Sequence, residues 1–312
     1  MPLDPETQRF IQQIRRRMPV IGSVTAFRFR EAQAEAAALT PKGPDLLRVE
    51  DTAIDTPAGP LPARLYVPYG QPVAVILYMH GGGWTIGGIA TSDYTVRKLA
   101  QTTSCAVVSI DYRLAPEHPF PAAIEDATHA LGWTARQKSN IGDASAPLIV
   151  AGDSAGANLA TVVATLARDA GGPRVAAQIL IYPSTRGDID APALKEFEAP
   201  FLTRAEIEWF FDQYIPDRAA RNDPRFAPFE AKDLSSLPPA FILTAENDLL
   251  RCEAEEYGLR LVQAGVLVSM RRYLGTVHGF FNFIGLERWE EAHADIATFI
   301  KATLSSGMRH NG

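Results

Sequence analysis

Gly152-Asp153-Ser154-Ala155-Gly156 sets a serine among small residues, directly after the apolar run Leu148–Ala151 and ahead of a helical stretch. A hydroxyl on a sharp strand-to-helix turn stands clear of the sheet as a nucleophile, and Gly152 and Gly156 let neighbouring backbone pass closely. Alone, the pentapeptide reads equally well as a loop of common residues. His80-Gly81-Gly82-Gly83-Trp84 follows a second apolar run, Val73–Met79, and offers successive N–H groups unobstructed by side chains. The amides of Gly82, Gly83 and Ala155 are the candidate oxyanion hole for such a serine. A phosphate-binding loop is the competing reading of the glycines, but the Lys-Ser/Thr of a P-loop and the spacing of a dinucleotide fingerprint are both missing.

A serine nucleophile needs a base and an acid to orient it, each on a loop after a strand, the acid first in the chain. Asp248 follows the apolar run Ala240–Thr244, and His278 follows Val266–Tyr273. His278 would take the serine proton while Asp248 holds and stabilises the imidazolium. Glu246 is the competing acid, nearer its strand end. Asp153 is read as a tether of the serine turn and His80 as a brace of the glycine loop. His118, His129 and His293 lie in a proline-rich turn or in helical stretches and read as surface or packing residues; His310 lies in a tail expected to be disordered.

The elements must bring these groups to one place. Apolar runs bounded by turn residues recur at Val73–Met79, Cys105–Ile110, Leu148–Ala151, Ala177–Tyr182, Ala240–Thr244 and Val266–Tyr273, and read as buried parallel strands. Helical stretches alternate with them at Ala122–Gln137, Ala157–Ala170, Glu253–Ala264 and Trp289–Leu304. That alternation predicts an α/β fold, a mostly parallel central sheet flanked by helices, with the loops at the strands' carboxyl ends lying along one crevice. An antiparallel hairpin across Leu46–Val67 precedes it, turning at Thr56-Pro57-Ala58-Gly59-Pro60. The rhythm fails twice: residues 1–45 carry only helical patterning, and a long insertion, residues 184–235, separates Tyr182 from Ala240. An insertion of that length is expected to be functional, as a lid. Its aromatic residues, with Phe201 and Phe210 foremost, and Trp84 beside the glycine loop are the candidate substrate contacts.

Composition narrows the field. The chain has 36 acidic and 30 basic residues, a net charge of -6, and no polycationic surface for nucleic acid. No apolar run reaches a membrane span and the first residues are polar, so no membrane partner and a cytoplasmic location are expected. Cys105 and Cys252 are the only cysteines, too few for a disulfide framework or a metal cluster. No cofactor and no metal are called for, and the oligomeric state stays open, a homodimer included.

Taken together, His80-Gly81-Gly82-Gly83-Trp84, the run Asp111-Tyr112-Arg113-Leu114-Ala115-Pro116-Glu117-His118-Pro119-Phe120-Pro121-Ala122, Gly152-Asp153-Ser154-Ala155-Gly156 and Gly275-Thr276-Val277-His278-Gly279-Phe280 resemble the bacterial hormone-sensitive lipase family of α/β-hydrolases. The resemblance implies an α/β-hydrolase catalytic domain, residues 46–183 and 236–312, under a helical cap built from residues 1–45 and 184–235. It implies carboxylesterase activity on short to medium acyl chains, with a small-molecule ester as substrate. It also implies that the Asp111–Glu117 run braces the oxyanion loop. Ala157, Leu249 and Cys252 depart from the family's commonest pattern without removing a catalytic group. Amide or peptide hydrolysis on the same triad is the alternative, and a ligand-binding protein without turnover, as in plant hormone receptors similar to this family, is a third reading that the presence of His278 disfavours.

Overall fold

The computed structural model describes residues 2–308, so His310 lies outside the described residues. Two N-terminal helices, α1 (Pro5–Arg17) and α2 (Ala26–Ala38), precede the hairpin of β1 (Arg48–Thr56) and β2 (Gly59–Val67). Strands and helices then alternate: β3 (Val75–Met79), α3 (Ile89–Thr103), β4 (Ala106–Ile110), α4 (Ala122–Ile141), β5 (Leu148–Asp153), α5 (Ala155–Asp169) and β6 (Val175–Ile181). The insertion carries α6 (Pro192–Glu196) and α7 (Arg204–Tyr214), and the chain closes with β7 (Ala240–Asn247), α8 (Arg251–Gln263), β8 (Val268–Val277) and α9 (Glu287–Met308).

Among the described residues eight strands form one sheet in the order β1-β2-β4-β3-β5-β6-β7-β8. The pairs β1/β2 and β2/β4 are antiparallel, and every later pair is parallel. β3, β4 and β5 are buried along their whole length, which is why they read as unbroken apolar runs. Alternate residues feed two cores. Leu77, Val108, Val150 and Ile242 join Leu159 of α5 and Tyr257 of α8 on one face. Ile76, Val107, Ile149 and Phe241 meet Leu99 of α3 and Phe299 of α9 on the other. Each such aliphatic side chain contributes roughly 1.5–3 kcal/mol on burial. Among the described residues no helix is long and apolar enough to cross a membrane.

Three sequence expectations shift. Val73 and Cys105 lie just before their strands. The expected strand Val266–Tyr273 runs instead from Val268 to Val277, because an irregularity lets it continue past Leu274-Gly275-Thr276, which reads as a turn. Helix α3 was not anticipated: Ile89–Thr103 is rich in β-branched and polar residues and its N-cap, Gly88, supplies no capping side chain. It is held by burial of Ile89, Val96, Leu99 and Ala100, so packing overrides weak propensity.

Candidate active site

Ser154 occupies the tight turn between β5 and α5, with φ 55° and ψ -118°. That left-handed backbone is strained for a residue with a Cβ, and its amide is pinned to the Ile181 carbonyl at 2.8 Å. Gly156 is compulsory here, since a Cβ on it would collide with the Met79 carbonyl oxygen. β7 ends at Asn247 and β8 at Val277, so Asp248 and His278 start adjacent loops at the same edge of the sheet.

The three side chains meet. His278 Nε2 lies 2.9 Å from Ser154 Oγ, and His278 Nδ1 lies 2.8 Å from Asp248 Oδ2. The other Asp248 oxygen accepts from the Leu250 amide at 3.0 Å. Asp248 is 2% exposed and His278 is 9% exposed, while Ser154 is more open. The Tyr182 ring lies against the imidazole, with centroids 4.7 Å apart. Glu246, the competing acid, points elsewhere: its Oε2 accepts from the Gly275 amide at 2.8 Å. It therefore secures the irregular stretch of β8 that delivers His278.

The glycine loop is held from several sides. Asp153 Oδ1 accepts from the Gly81 amide at 2.8 Å. Tyr112 donates its hydroxyl to the His80 carbonyl at 2.8 Å and stacks on the His80 ring. Ala115 donates its amide to the Trp84 carbonyl. Helix α2 reaches the same loop, with Arg30 Nε donating to the Thr85 carbonyl and Gln33 accepting from the Gly87 amide. Among the described residues the amides of Gly82, Gly83 and Ala155 make no bond to another protein group, which leaves them available to an incoming oxygen.

The candidate substrate contacts divide. Phe210 sits directly over Gly83, where any Cβ would drive into its ring. Phe201 lies beside Gly279 and packs edge-on against Phe283. Trp84 is a correction: it is 1% exposed, stacked on Tyr214 at 4.8 Å and flanked by Phe211 and Phe226. Its ring offers no surface to a ligand and belongs to the core beneath α7. His118 and His129 are exposed, and His293 is buried against Phe281 and Trp289, its ring nitrogens facing the Trp289 and Thr95 carbonyls and not the Ser154 side chain. Sequence reading passed over Tyr182 and Asn282, whose types and spacing carry no signal of their place beside the triad.

A serine in a strained strand-to-helix turn, bonded to an imidazole that is itself bonded to a carboxylate, on this sheet order, defines an α/β-hydrolase. The model of the alpha/beta hydrolase fold family matches residues 76–282, and the chain belongs to that family, in its hormone-sensitive-lipase-type branch. It is 40% identical over 290 residues to the esterase LipI of Mycobacterium tuberculosis, covering 91% of this chain and 89% of that protein. It is 43% identical over 230 residues to the carboxylesterase NlhH of the same organism, covering 72% of each. A hyperthermophilic esterase from the archaeon Pyrobaculum calidifontis superposes with a TM-score of 0.88 at 39% identity, over 97% of this chain and 99% of that one.

Proposed function

We propose that this chain, a carboxylic ester hydrolase by family, works through Ser154 as nucleophile, His278 as base and Asp248 as its orienting acid. Ser154 Oγ attacks the acyl carbon while its proton passes to His278 Nε2, and Asp248 stabilises the imidazolium through Nδ1. The developing oxyanion is received by the amides of Gly82, Gly83 and Ala155. Collapse expels the alcohol, protonated by His278, and water activated by the same base releases the acid from the acyl-enzyme. The observation that carries this reading is the continuous pair of bonds from Asp248 through His278 to Ser154, at 2.8 and 2.9 Å.

Residues 1–45 and 184–235 form the cap of this reading, with Phe210 over Gly83 and Phe201 beside the His278 loop bounding the acyl chain. Each added methylene then contributes about 0.8 kcal/mol until the space ends. Efficiency should rise from acetyl, peak between butanoyl and octanoyl, and fall for longer chains. A series of 4-nitrophenyl esters from two to sixteen carbons, with a matched anilide, tests this. A palmitoyl optimum overturns the acyl range, and an anilide turned over as fast as its ester makes the protein an amidase. The free thiols Cys105 and Cys252 suit a reducing compartment, so we place the protein in the cytoplasm, which cell fractionation checks.

A further inference from the structure

The sheet ladder does not by itself fix the gap between the glycine loop and the histidine loop. The first leaves β3, the second leaves β8, and β5, β6 and β7 lie between them. Asp153, the last residue of β5, spans that gap from the middle. Its Oδ1 accepts from the Tyr78 hydroxyl at 2.7 Å and from the Gly81 amide at 2.8 Å, on the β3 side. Its Oδ2 accepts from Asn282 Nδ2 at 3.0 Å, four residues beyond His278, with the Tyr182 hydroxyl at 3.5 Å. The carboxyl group is buried, at 4% exposure, and among the described residues the donors to it are all neutral. Neutral donors from three elements therefore offset the cost of burying it. Tyr78 and Tyr182 remain donors because burial, and then the nearby Asp153, push their hydroxyl pKa well above the ordinary value.

We infer that Asp153 is a positioning residue whose two oxygens set the distance between the oxyanion amides and His278 across Ser154, with Asn282 as the arm on the histidine side. The inference rests on the triad reading above. Asn282 enters it through geometry alone: its Nδ2 is committed to Asp153, while its buried Oδ1 has no protein partner. A geometric tether has a specific signature. The pair needs one donor and one acceptor at the contact, and which residue supplies which is immaterial.

The experiment exchanges those roles. Asp153→Asn keeps one oxygen for Gly81 and Tyr78, and its new amide donates to Asn282 Oδ1 once the Asn282 amide turns over; kcat should stay within about tenfold of the parent. Asn282→Asp sets two carboxylates against each other, so kcat should fall by about a hundredfold at nearly constant KM while the melting temperature holds within a few degrees. The exchanged double variant, Asp153→Asn with Asn282→Asp, should recover to within about tenfold of the parent. An Asn282→Asp enzyme with more than half the parental kcat, or a double variant no better than Asn282→Asp alone, overturns the inference. Ser154→Ala is run beside them. Residual turnover there removes the triad reading and this inference with it, whereas a dead Ser154→Ala beside an unimpaired Asn282→Asp overturns the tether alone.

Discussion

Asp248 and Glu246 stand two residues apart at one strand end, and each carboxylate is occupied by a different partner: Asp248 by His278, Glu246 by the Gly275 amide. Their conservative variants should separate accordingly. Asp248→Asn leaves the imidazole in a poorer tautomer and should cost on the order of 10³–10⁴ in kcat. Glu246→Gln retains an oxygen for the Gly275 amide and should cost less than about tenfold; steady-state kinetics on a short-chain ester decides, and a larger loss in Glu246→Gln reverses the assignment of the acid. Ser154→Ala and His278→Ala should each approach a loss of 10⁴-fold or more, since nucleophile and base act as a unit. The three residues of the proposed triad could be picked out because the chemistry asked of them demands particular residue types after particular strands, and the structure puts their side chains in contact. The places of Tyr182 and Asn282 beside it were not, because a tyrosine or asparagine at a loop base is compatible with any solvated turn, and only tertiary folding brings these to the triad.

Elements were legible where burial and local preference agree. The central strands β3, β4 and β5 are buried on both faces and announce themselves as apolar runs, whereas α3 is helical against its composition and Trp84, a candidate substrate contact in the sequence, is buried against Tyr214 of α7. The join between the insertion and α8 offers a test at this scale. Glu253, near the start of α8, is buried and accepts the amides of Thr185 at 2.6 Å and Arg186 at 3.2 Å at the root of the insertion. Burial, only partly opposed by those amides and Arg186, pushes its carboxyl up to about 8 from the ordinary 4.5. A folded pKa above the unfolded one gives stability that is fully present below about 4.5 and is lost as pH rises through about 8, a loss on the order of a few kcal/mol. Glu253→Gln keeps an acceptor for both amides without the ionisation. Thermal unfolding should show the variant close to the parent at pH 5 and more stable at pH 9; equal curves at both would place Glu253 in an environment that tolerates its charge.

Across the whole molecule that slope meets one of opposite sign from the other face of the sheet. His293 docks α9 on α3, stacked on Phe281 at 4.3 Å, with Nδ1 2.8 Å from the Trp289 carbonyl and Nε2 3.4 Å from that of Thr95. Burial lowers its pKa to about 4 from the ordinary 6.5, outweighing those two carbonyls. The folded pKa is depressed, so the unfolded chain takes up a proton first. Stability from neutral His293 is complete above about 6.5 and is lost as pH falls towards about 4, about 3 kcal/mol in all. Between about 4.5 and 6.5 the unfolded chain gains one proton at His293 for each one the folded chain keeps at Glu253, so the two slopes cancel and the parent protein should hold a plateau. Above 6.5 only the Glu253 slope remains and stability declines. Removing either group exposes the other: His293→Phe should slope downward without a plateau from about pH 4.5 to 8, and Glu253→Gln should climb from about 4 to 6.5 and then level. Urea unfolding at half-unit steps from pH 4 to 9 measures all three curves, and a His293→Phe curve parallel to the parent's throughout would mean that His293 takes up its proton without leaving its place between α3 and α9.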